Sequence, residues 1–293
     1  MKAPRRVEVT RPDKPLWPAL GITKRAYVDY LGAVADRMIP WLRDRPLTVI
    51  RAPDGVEGQR YFQKDTPKYA PSWIRTVTIP APSAKRDVAY TVCNDAATLA
   101  WLGNQAALEF HSAPVRRDRL ERPDLLVVDI DPPDGAFDAA VDVAFLVLEV
   151  LDDLGLNPLV KTTGGKGLHI AVPIVRHVSP EQLRHAATRL TAIVADRRPE
   201  LVTAEFRKAG RKGRVMLDPS RNGTGATIVA PYSPRARAEA TVSFPVLPEE
   251  LRSITPGDFT IATVPAQLDG AGPARWTEAV SPHQRLPASL LSD

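Results

Sequence analysis

The succession of elements between residues 124 and 198 limits the fold more than any other feature of this sequence. "DLLVVDI" is a short apolar run of the kind that forms a buried strand. Over 137–153 it is followed by Val141, Ala144, Phe145, Leu148 and Leu151 at helical spacing, with Gly155 as a stop. Strands are expected next at about 158–162 and 168–174. Another helix starts at Ser179 with Pro180 in its first position, carries Leu183, Ala187, Leu190 and Val194, and ends before Pro199. "LVTAEF" and "RVMLD" read as strands beyond it. Strands and helices that alternate in this way are stable with the helices laid on a mixed sheet, so the fold class is α/β (α+β), neither all-helical nor all-β.

Upstream, Tyr27, Tyr30, Leu31, Val34 and Met38 form a helical stripe between Thr23, a candidate N-cap, and Pro40. Lys24 and Arg25 occupy the first turn, where the helix dipole disfavours cations, and Arg11 and Lys14 lie just before it. A helix N-terminus supplemented by lysines suits a phosphate; a solvated basic turn is the alternative. A further helix is expected from an Asn94 cap through Leu99 and Leu102 to about Leu108, after which "LEFH" reads as a short strand delivering His111.

The 293 residues suffice for one large core or two smaller lobes. Prolines spread along the chain keep its elements short, and the stretch 263–293, rich in Pro, Gly and Ala, is expected to wrap the surface or fray. No apolar run approaches the ~18–20 residues of a membrane span, and the charged N-terminus lacks the apolar core of a secretory signal. A soluble, cytoplasmic protein is expected. Cys93 is the one cysteine, which excludes an intrachain disulfide and a cysteine-rich zinc cluster and leaves a small buried residue as its expected role. A formal charge of +5 favours a polyanionic partner such as nucleic acid.

The chemistry concentrates in three motifs. In "LLVVDID" successive side chains alternate faces, so Asp129 and Asp131 project to one side while Ile130 enters the core. Two ionised carboxylates so close repel, and are tolerated when one is protonated or a divalent cation lies between them; "DPPDG" is also sound turn chemistry. "KTTGGKGLHI", residues 161–170, places a glycine-rich turn bearing Lys166 between two strands, where backbone N–H groups and a lysine can meet a phosphate. It is not a Walker loop: Val160 stands where that motif needs glycine, Gly167 where it needs Ser or Thr, and a strand follows in place of a helix. His169 shares a strand face with Gly167 and Ala171 and either bonds a phosphate or is a satisfied core histidine.

In the third motif, "GRVMLDPSRNGTGATIVAPYSPRAR", Asp218 ends a strand as Asp131 does; Ser220, Arg221 and Asn222 follow, then Arg235 and Arg237. Three carboxylates from different segments near a lysine loop match nucleotidyl transfer. In that reaction two Mg²⁺ or Mn²⁺ ions activate a 3′-hydroxyl and stabilise pyrophosphate while Lys and Arg hold the phosphates. The basic loop "FRKAGRKGR" lies just before Asp218; such a run is often merely solvated, but beside an active site Arg207, Lys208, Arg211, Lys212 and Arg214 can grip phosphates of primer or template.

Taken together, "DIDPP", "TTGGKGLH" and "LDPSRN" resemble the three motifs of the archaeo-eukaryotic primase superfamily, and more closely those of the polymerase domain of the bacterial end-joining ligase D and its stand-alone relatives. The resemblance runs from about residue 8 to about residue 265. It implies a primase-polymerase catalytic core with an RRM-like mixed sheet and additional helices. The implied domain covers 1–265, with 5′-phosphate and template contacts up to about residue 110, a metal and nucleotide core over 111–265, and a C-terminal surface segment over 266–293. Asp129, Asp131 and Asp218 would be the metal-binding catalytic residues, with no protein general base. His111, Thr163, Lys166, His169 and Arg235 would surround the incoming nucleotide; Thr163 stands where relatives commonly show serine and keeps the hydroxyl. Lys14 and Lys24 match lysines that hold a recessed 5′-phosphate across a gap. Tyr61 and Phe62, with Lys64 beside them, match the place where the template strand stacks.

Adjacent residues on a strand point oppositely, so at least one of the rings of Tyr61 and Phe62 is expected to face out. "PDG" at 53–55 also resembles an adenylating-ligase motif, but Ala52 stands where its nucleophilic lysine must be, so ligase chemistry is not expected. "PSAKRD", residues 82–87, is short for the loop that aligns broken ends in relatives. The resemblance implies a template-directed DNA/RNA nucleotidyltransferase that fills short gaps or extends 3′ ends in DNA repair, including non-homologous end joining, as a stand-alone enzyme or one domain of a larger one. It would use Mn²⁺ or Mg²⁺ and NTP or dNTP, with ribonucleotides preferred, on gapped or broken-end DNA at the nucleoid. A Ku-like end-binding protein and a DNA ligase are the implied partners. A de novo primase and a non-catalytic DNA-end binding module are the rival readings.

Overall fold

A two-stranded ribbon leads into the first long helix. β1 (Pro15–Trp17) pairs antiparallel with β2 (Ile22–Thr23), and Thr23 Oγ1 accepts from Ala26 N at 3.3 Å to cap α1 (Lys24–Leu42). The computed structural model describes residues 5–81, 86–279 and 284–292. In it α1 buries Tyr27, Leu31, Val34 and Met38 and continues through Pro40, so that Trp41 is buried as well.

An N-terminal sheet follows from β3 (Leu47–Arg51), β4 (Tyr61–Gln63), β5 (Arg75–Ala81) and β6 (Arg86–Val92), then, after α2 (Ala96–Asn104), from β7 (Ala107–Ser112). The cap of α2 lies one residue beyond the expected one. Asp95 Oδ1 accepts from Thr98 N at 2.7 Å, whereas Asn94 Oδ1 is taken by Asp44 N at 2.8 Å. The helix ends at Asn104, short of Leu108, because Ala106 adopts a left-handed φ of 55° and turns the chain into β7, which carries His111. Part of the expected loop 82–87 lies outside the described residues; Arg86 and Asp87 already belong to β6.

The second half continues with β8 (Leu125–Asp131), α3 (Phe137–Asp153), β9 (Leu159–Thr162), β10 (Leu168–Pro173), α4 (Pro180–Arg197), β11 (Val202–Thr203) and β12 (Val215–Asp218). After these come β13 (Ile228–Val229), β14 (Pro245–Val246), α5 (Ala271–Glu278) and α6 (Ala288–Leu291). The β-α-β-β-α-β run from β8 to β12 produces the strand order β12-β8-β10-β9, the RRM-like arrangement, widened by β11 and β14. β13 crosses to the N-terminal sheet, ordered β13-β7-β3-β6-β5, with β4 also on β3. Of "LVTAEF" only Val202–Thr203 pairs, parallel to β12; Glu205 N turns back to donate to Thr203 Oγ1 at 3.1 Å.

The two faces of the second sheet differ in character. Leu126, Val128, Ile130, Leu168, Ile170 and Leu217 bury on the side where α3 and α4 pack. On the other side Leu125, Val127, Leu159 and Ala171 form an apolar patch closed by Trp41 and Trp276, whose rings meet edge to face at 4.7 Å. Trp276 lies on α5 and donates to Val160 O at 3.0 Å, and Leu286 and Leu290 are buried too. The C-terminal stretch therefore adds to the core where a surface wrap was expected. Cys93 is buried. Among the described residues no helix is long and apolar enough to cross a membrane. Beyond the tryptophan patch the same sheet face turns polar.

Candidate active site

Antiparallel pairing sets Lys161, His169, Asp129 and Asp218 directly opposite one another across β9, β10, β8 and β12. Cross-strand partners share a face, so these four form one polar row, and Asp131, two residues along β8, lies on the same side. Strand alternation thus converges Asp129 and Asp131, and register brings Asp218 to them from the neighbouring strand.

Each carboxylate is held by cations of the chain. Asp129 Oδ1 lies 3.3 Å from His169 Nε2, and its Oδ2 accepts from Arg221 Nε at 3.1 Å. Asp131 lies 3.1 Å from Lys166 Nζ and accepts from Arg211 Nη1 at 2.7 Å. Asp218 lies 3.4 Å from Arg221 Nε and accepts from Ser220 N at 2.9 Å. Burial works against the Asp129 carboxylate, but His169 and Arg221 outweigh it and bring the acid down to about 2. Burial, then the adjacent Lys161, push His169 down to about 4 against the pull of Asp129, so its ring is neutral at pH 7. Burial and the charge of Arg235 likewise hold the fully buried Lys161 well below the usual lysine range. His169 is thus a partnered, nearly buried histidine that still lines the cleft.

Oxygen donors on one face suit a hard cation such as Mg²⁺ or Mn²⁺. Among the described residues, however, no three His, Cys, Asp or Glu side chains stand closely enough together to hold an ion. The carboxylates are turned instead to Arg211, Arg221 and Lys166. The donor chemistry suits a divalent cation, while the three carboxylates as they stand are engaged by cations of the chain.

The glycine-rich turn is shaped by close backbone packing. A Cβ on Gly167 would stand 2.1 Å from Ile130 O, and Gly164, with φ +64°, would place one 2.8 Å from Val242 C. Gly165 N is not free for an anion, since it donates to Thr163 Oγ1 at 3.1 Å. The Thr163 hydroxyl in turn donates to Gly167 O at 3.0 Å. Thr163 therefore organises the turn, where a contact with triphosphate was expected. Lys166 reaches out of the turn and bridges Asp131 and Asp134, 3.1 Å from each.

The opposite wall comes from the N-terminal sheet. His111 Nε2 lies 2.9 Å from Glu109 Oε2, a buried carboxylate that also accepts from Ala236 N at 2.9 Å and pairs with Arg235 Nε at 3.1 Å. Burial raises Glu109, but His111, Arg235 and the Ala236 amide outweigh it and bring it down to about 2. Arg235 Nη1 donates to Thr163 O at 2.9 Å, tying the two walls together. The cleft between them has a volume of about 370 Å³ and is also lined by Arg237 and Phe206, a size suited to a small-molecule ligand. Glu109, Lys161 and Asp134, together with Arg221 and Arg237, carry site contacts that local sequence pattern does not assign. The E-x-H spacing of "LEFH" signals Glu109; Lys161 becomes visible only with strand register. Asn222 anchors the loop after Asp218 by exchanging two 2.8 Å bonds with the Val127 backbone.

The basic loop divides. Arg207, Lys208 and Lys212 are exposed, as a phosphate grip requires. Arg211 is turned inward onto Asp131, and Arg214 bonds the carbonyls of Arg211 and Pro199 at 3.0 and 3.3 Å, so these two are committed within the protein.

At the start of α1 the amides of Lys24 and Arg25 donate to Lys14 O and Pro12 O, and that of Ala26 to Thr23 Oγ1. The helix terminus therefore offers none of these amides to a phosphate, contrary to the expected anion site. What remains is side-chain charge. Lys14 Nζ pairs with exposed Asp54 at 2.8 Å, and nearly buried Lys24 donates to Thr10 O at 2.7 Å. Burial, then Arg11 and Lys14, lower the Lys24 ammonium. On β4 both rings face out, Tyr61 at 47% and Phe62 at 62% exposure; among the described residues this three-residue strand pairs with β3 alone. Lys64 Nζ sits 5.8 Å from the Phe62 ring centroid.

Residues 23–274 match the family model described as "LigD, primase-polymerase domain". The chain is 37% identical over 246 residues to the multifunctional non-homologous end joining protein LigD of Mycolicibacterium smegmatis, covering 82% of this chain and 32% of that protein. To the bifunctional non-homologous end joining protein LigD of Bacillus subtilis it is 35% identical over 266 residues, covering 88% and 42%. It thus spans about a third to two fifths of the length of these curated relatives. Among solved structures, the polymerase domain from Mycobacterium tuberculosis ligase D in complex with DNA matches with a TM-score of 0.84 and 33% identity, over 91% of this chain and 96% of that one. The RRM-like sheet, the polar row across it and a match over most of its length agree, and the chain belongs to the LigD primase-polymerase domain family.

Proposed function

We propose that this chain is a template-directed nucleotidyltransferase that extends 3′ ends and fills short gaps during DNA end joining, accepting ribonucleotides in preference to deoxyribonucleotides. The observation that carries the reading is the convergence of Asp129, Asp131 and Asp218 with Lys166, Arg221, Arg235 and Arg237 around one cleft. A nucleoside triphosphate brings strong negative charge that needs the cations, and the carboxylates then need new partners. Asp129, Asp131 and Asp218 would hold Mg²⁺ or Mn²⁺, which when bound lowers the pKa of the attacking hydroxyl and stabilises the leaving pyrophosphate. Lys166, Arg235 and Arg237 bind and orient the phosphates, and His111, held by Glu109, faces the nucleotide from the other wall.

Outside the cleft, Tyr61 and Phe62 stack the template, Lys14 and Lys24 hold a 5′-phosphate across the gap, and Arg207, Lys208 and Lys212 meet backbone phosphates. The end-joining names of the relatives support DNA ends as the substrate; an end-binding Ku-like protein and a DNA ligase are the partners proposed with it. Primer extension across a short gap tests the reading, comparing 5′-phosphate with 5′-hydroxyl, NTP with dNTP, and Mn²⁺ with Mg²⁺. Phosphate-stimulated addition of one or a few ribonucleotides is the expected result. Binding without addition under every condition would leave a DNA-end binding module.

A further inference from the structure

Lys161 is the member of the cross-strand row to which the proposed chemistry gives no task. It is fully buried on β9 opposite His169, and its neighbours dictate where the protons lie. Ser243 Oγ donates to Thr162 O at 2.8 Å, so toward Lys161 Nζ, 2.6 Å away, the same oxygen acts as acceptor and the lysine as donor. The other contact of Nζ is His169 Nδ1 at 3.0 Å. In either protonation state Nζ has N–H groups enough to donate to both neighbours; Nδ1 then accepts and the ring hydrogen toward the cleft sits on Nε2. The far edge of the ring requires the same arrangement, because Nε2 faces Asp129 Oδ1 at 3.3 Å and an ionised carboxylate only accepts.

We propose that Lys161 is a positioning residue that fixes the Nε2–H tautomer of His169 and aims that proton at the cleft, where it is donated to a phosphate oxygen of the incoming nucleotide. The inference rests on the polymerase reading for the identity of the acceptor and on geometry alone for the tautomer. A carboxylate and a phosphate oxygen are interchangeable acceptors for one N–H. The hydrogen bond can therefore pass from Asp129 to the nucleotide without any proton transfer, which releases Asp129 at the moment it is needed. Without Lys161 only Asp129 holds the hydrogen on Nε2, and the ring can lose that tautomer once the carboxylate turns to other partners.

Nitrogen-15 NMR of histidine-labelled protein reads the tautomer directly, with the His169 signals assigned among the five histidines by their loss in His169→Asn. The expected spectrum of the wild type at neutral pH shows an unprotonated Nδ1 and a protonated Nε2, with the Nε2 signal moved by a non-hydrolysable nucleotide. A protonated Nδ1 overturns the tautomer, and an Nε2 signal indifferent to bound nucleotide overturns the phosphate acceptor. Lys161→Met should mix the tautomers and raise KM for the nucleotide ~10-fold with kcat little changed, the effect of one lost hydrogen bond to a charged group. Lys161→Gln, which keeps a donor, should restore most of that loss.

Combining Lys161→Met with His169→Asn should cost no more than His169→Asn alone; additive losses would show that Lys161 merely supports the fold, and would overturn the proposal. If Lys161→Met does not fold, the wild-type spectrum and Lys161→Gln decide. A wild type that extends no primer defeats the polymerase reading, while the tautomer still stands or falls on the spectrum.

Discussion

The polar end of the second sheet and the open rim around β4 both face nucleic acid in the proposed reading, and they are built in opposite ways. In the sheet, register places Lys161, His169, Asp129 and Asp218 opposite one another, and every carboxylate already has a cation. On the rim, Tyr61, Phe62 and Tyr69 stand 47%, 62% and 61% exposed on short or irregular segments. Bond making punishes positional error steeply, which favours groups locked by pairing. A strand of arbitrary sequence asks only for ring faces and charge, which an exposed edge supplies without register.

The largest expected effect is at the locked face. Asp218→Asn should lower extension by roughly a thousandfold, the scale of losing a principal electrostatic group, and change affinity for gapped DNA by less than about twofold. Primer extension beside fluorescence anisotropy checks both, and retained extension would break the assignment of chemistry to the sheet.

The next effect ties the wall opposite that face, on β7, to pH. Glu109 is held at about 2 when folded, against an ordinary value of 4.5. Its contribution is fully present above pH 4.5 and is lost as pH falls toward 2, up to about 3 kcal/mol. Urea unfolding of Glu109→Gln should lack that part of the acid loss, whereas Phe62→Ala should follow the wild-type curve.

Phe62→Ala acts elsewhere. It should weaken template binding by about 1–3 kcal/mol and leave stability within about 0.5 kcal/mol, because the ring is mostly exposed. A large loss of stability would contradict the picture of an open platform. The smallest expected effect belongs to the phosphate pocket. Lys14→Ala combined with Lys24→Ala should erase the preference for a 5′-phosphorylated gap and flatten the salt dependence of log K by about 1–2. Equal wild-type binding to phosphorylated and unphosphorylated gaps would remove the pocket.

Local pattern was enough to read much of this. Strand alternation placed Asp129 and Asp131 on one face, Ser179 and Pro180 marked the start of α4, and the β-α-β-β-α-β succession announced the sheet. What local pattern lacks is register. Whether Lys161 or Lys166 stands beside His169 depends on pairing between β9 and β10, which no window of a few residues encodes. The same limit applies to side-chain commitments made across space. Arg211 and Arg214 look alike in "FRKAGRKGR" as solvated cations, yet one is held by Asp131 from β8 and the other by nearby carbonyls. Thr163 kept the hydroxyl expected of a phosphate contact, but the turn it closes, packed against Ile130 and Val242, uses that hydroxyl internally.

The measurement that bears most directly on the central claim is single-nucleotide addition to a 3′ end facing a template base, run with Mn²⁺ or Mg²⁺ and again after chelation, for the wild type and Asp129→Asn. Templated addition by the wild type that disappears on chelation and in Asp129→Asn is the predicted result. DNA binding with no addition by the wild type, or addition that survives in Asp129→Asn, would contradict the polar row as a nucleotidyl-transfer site.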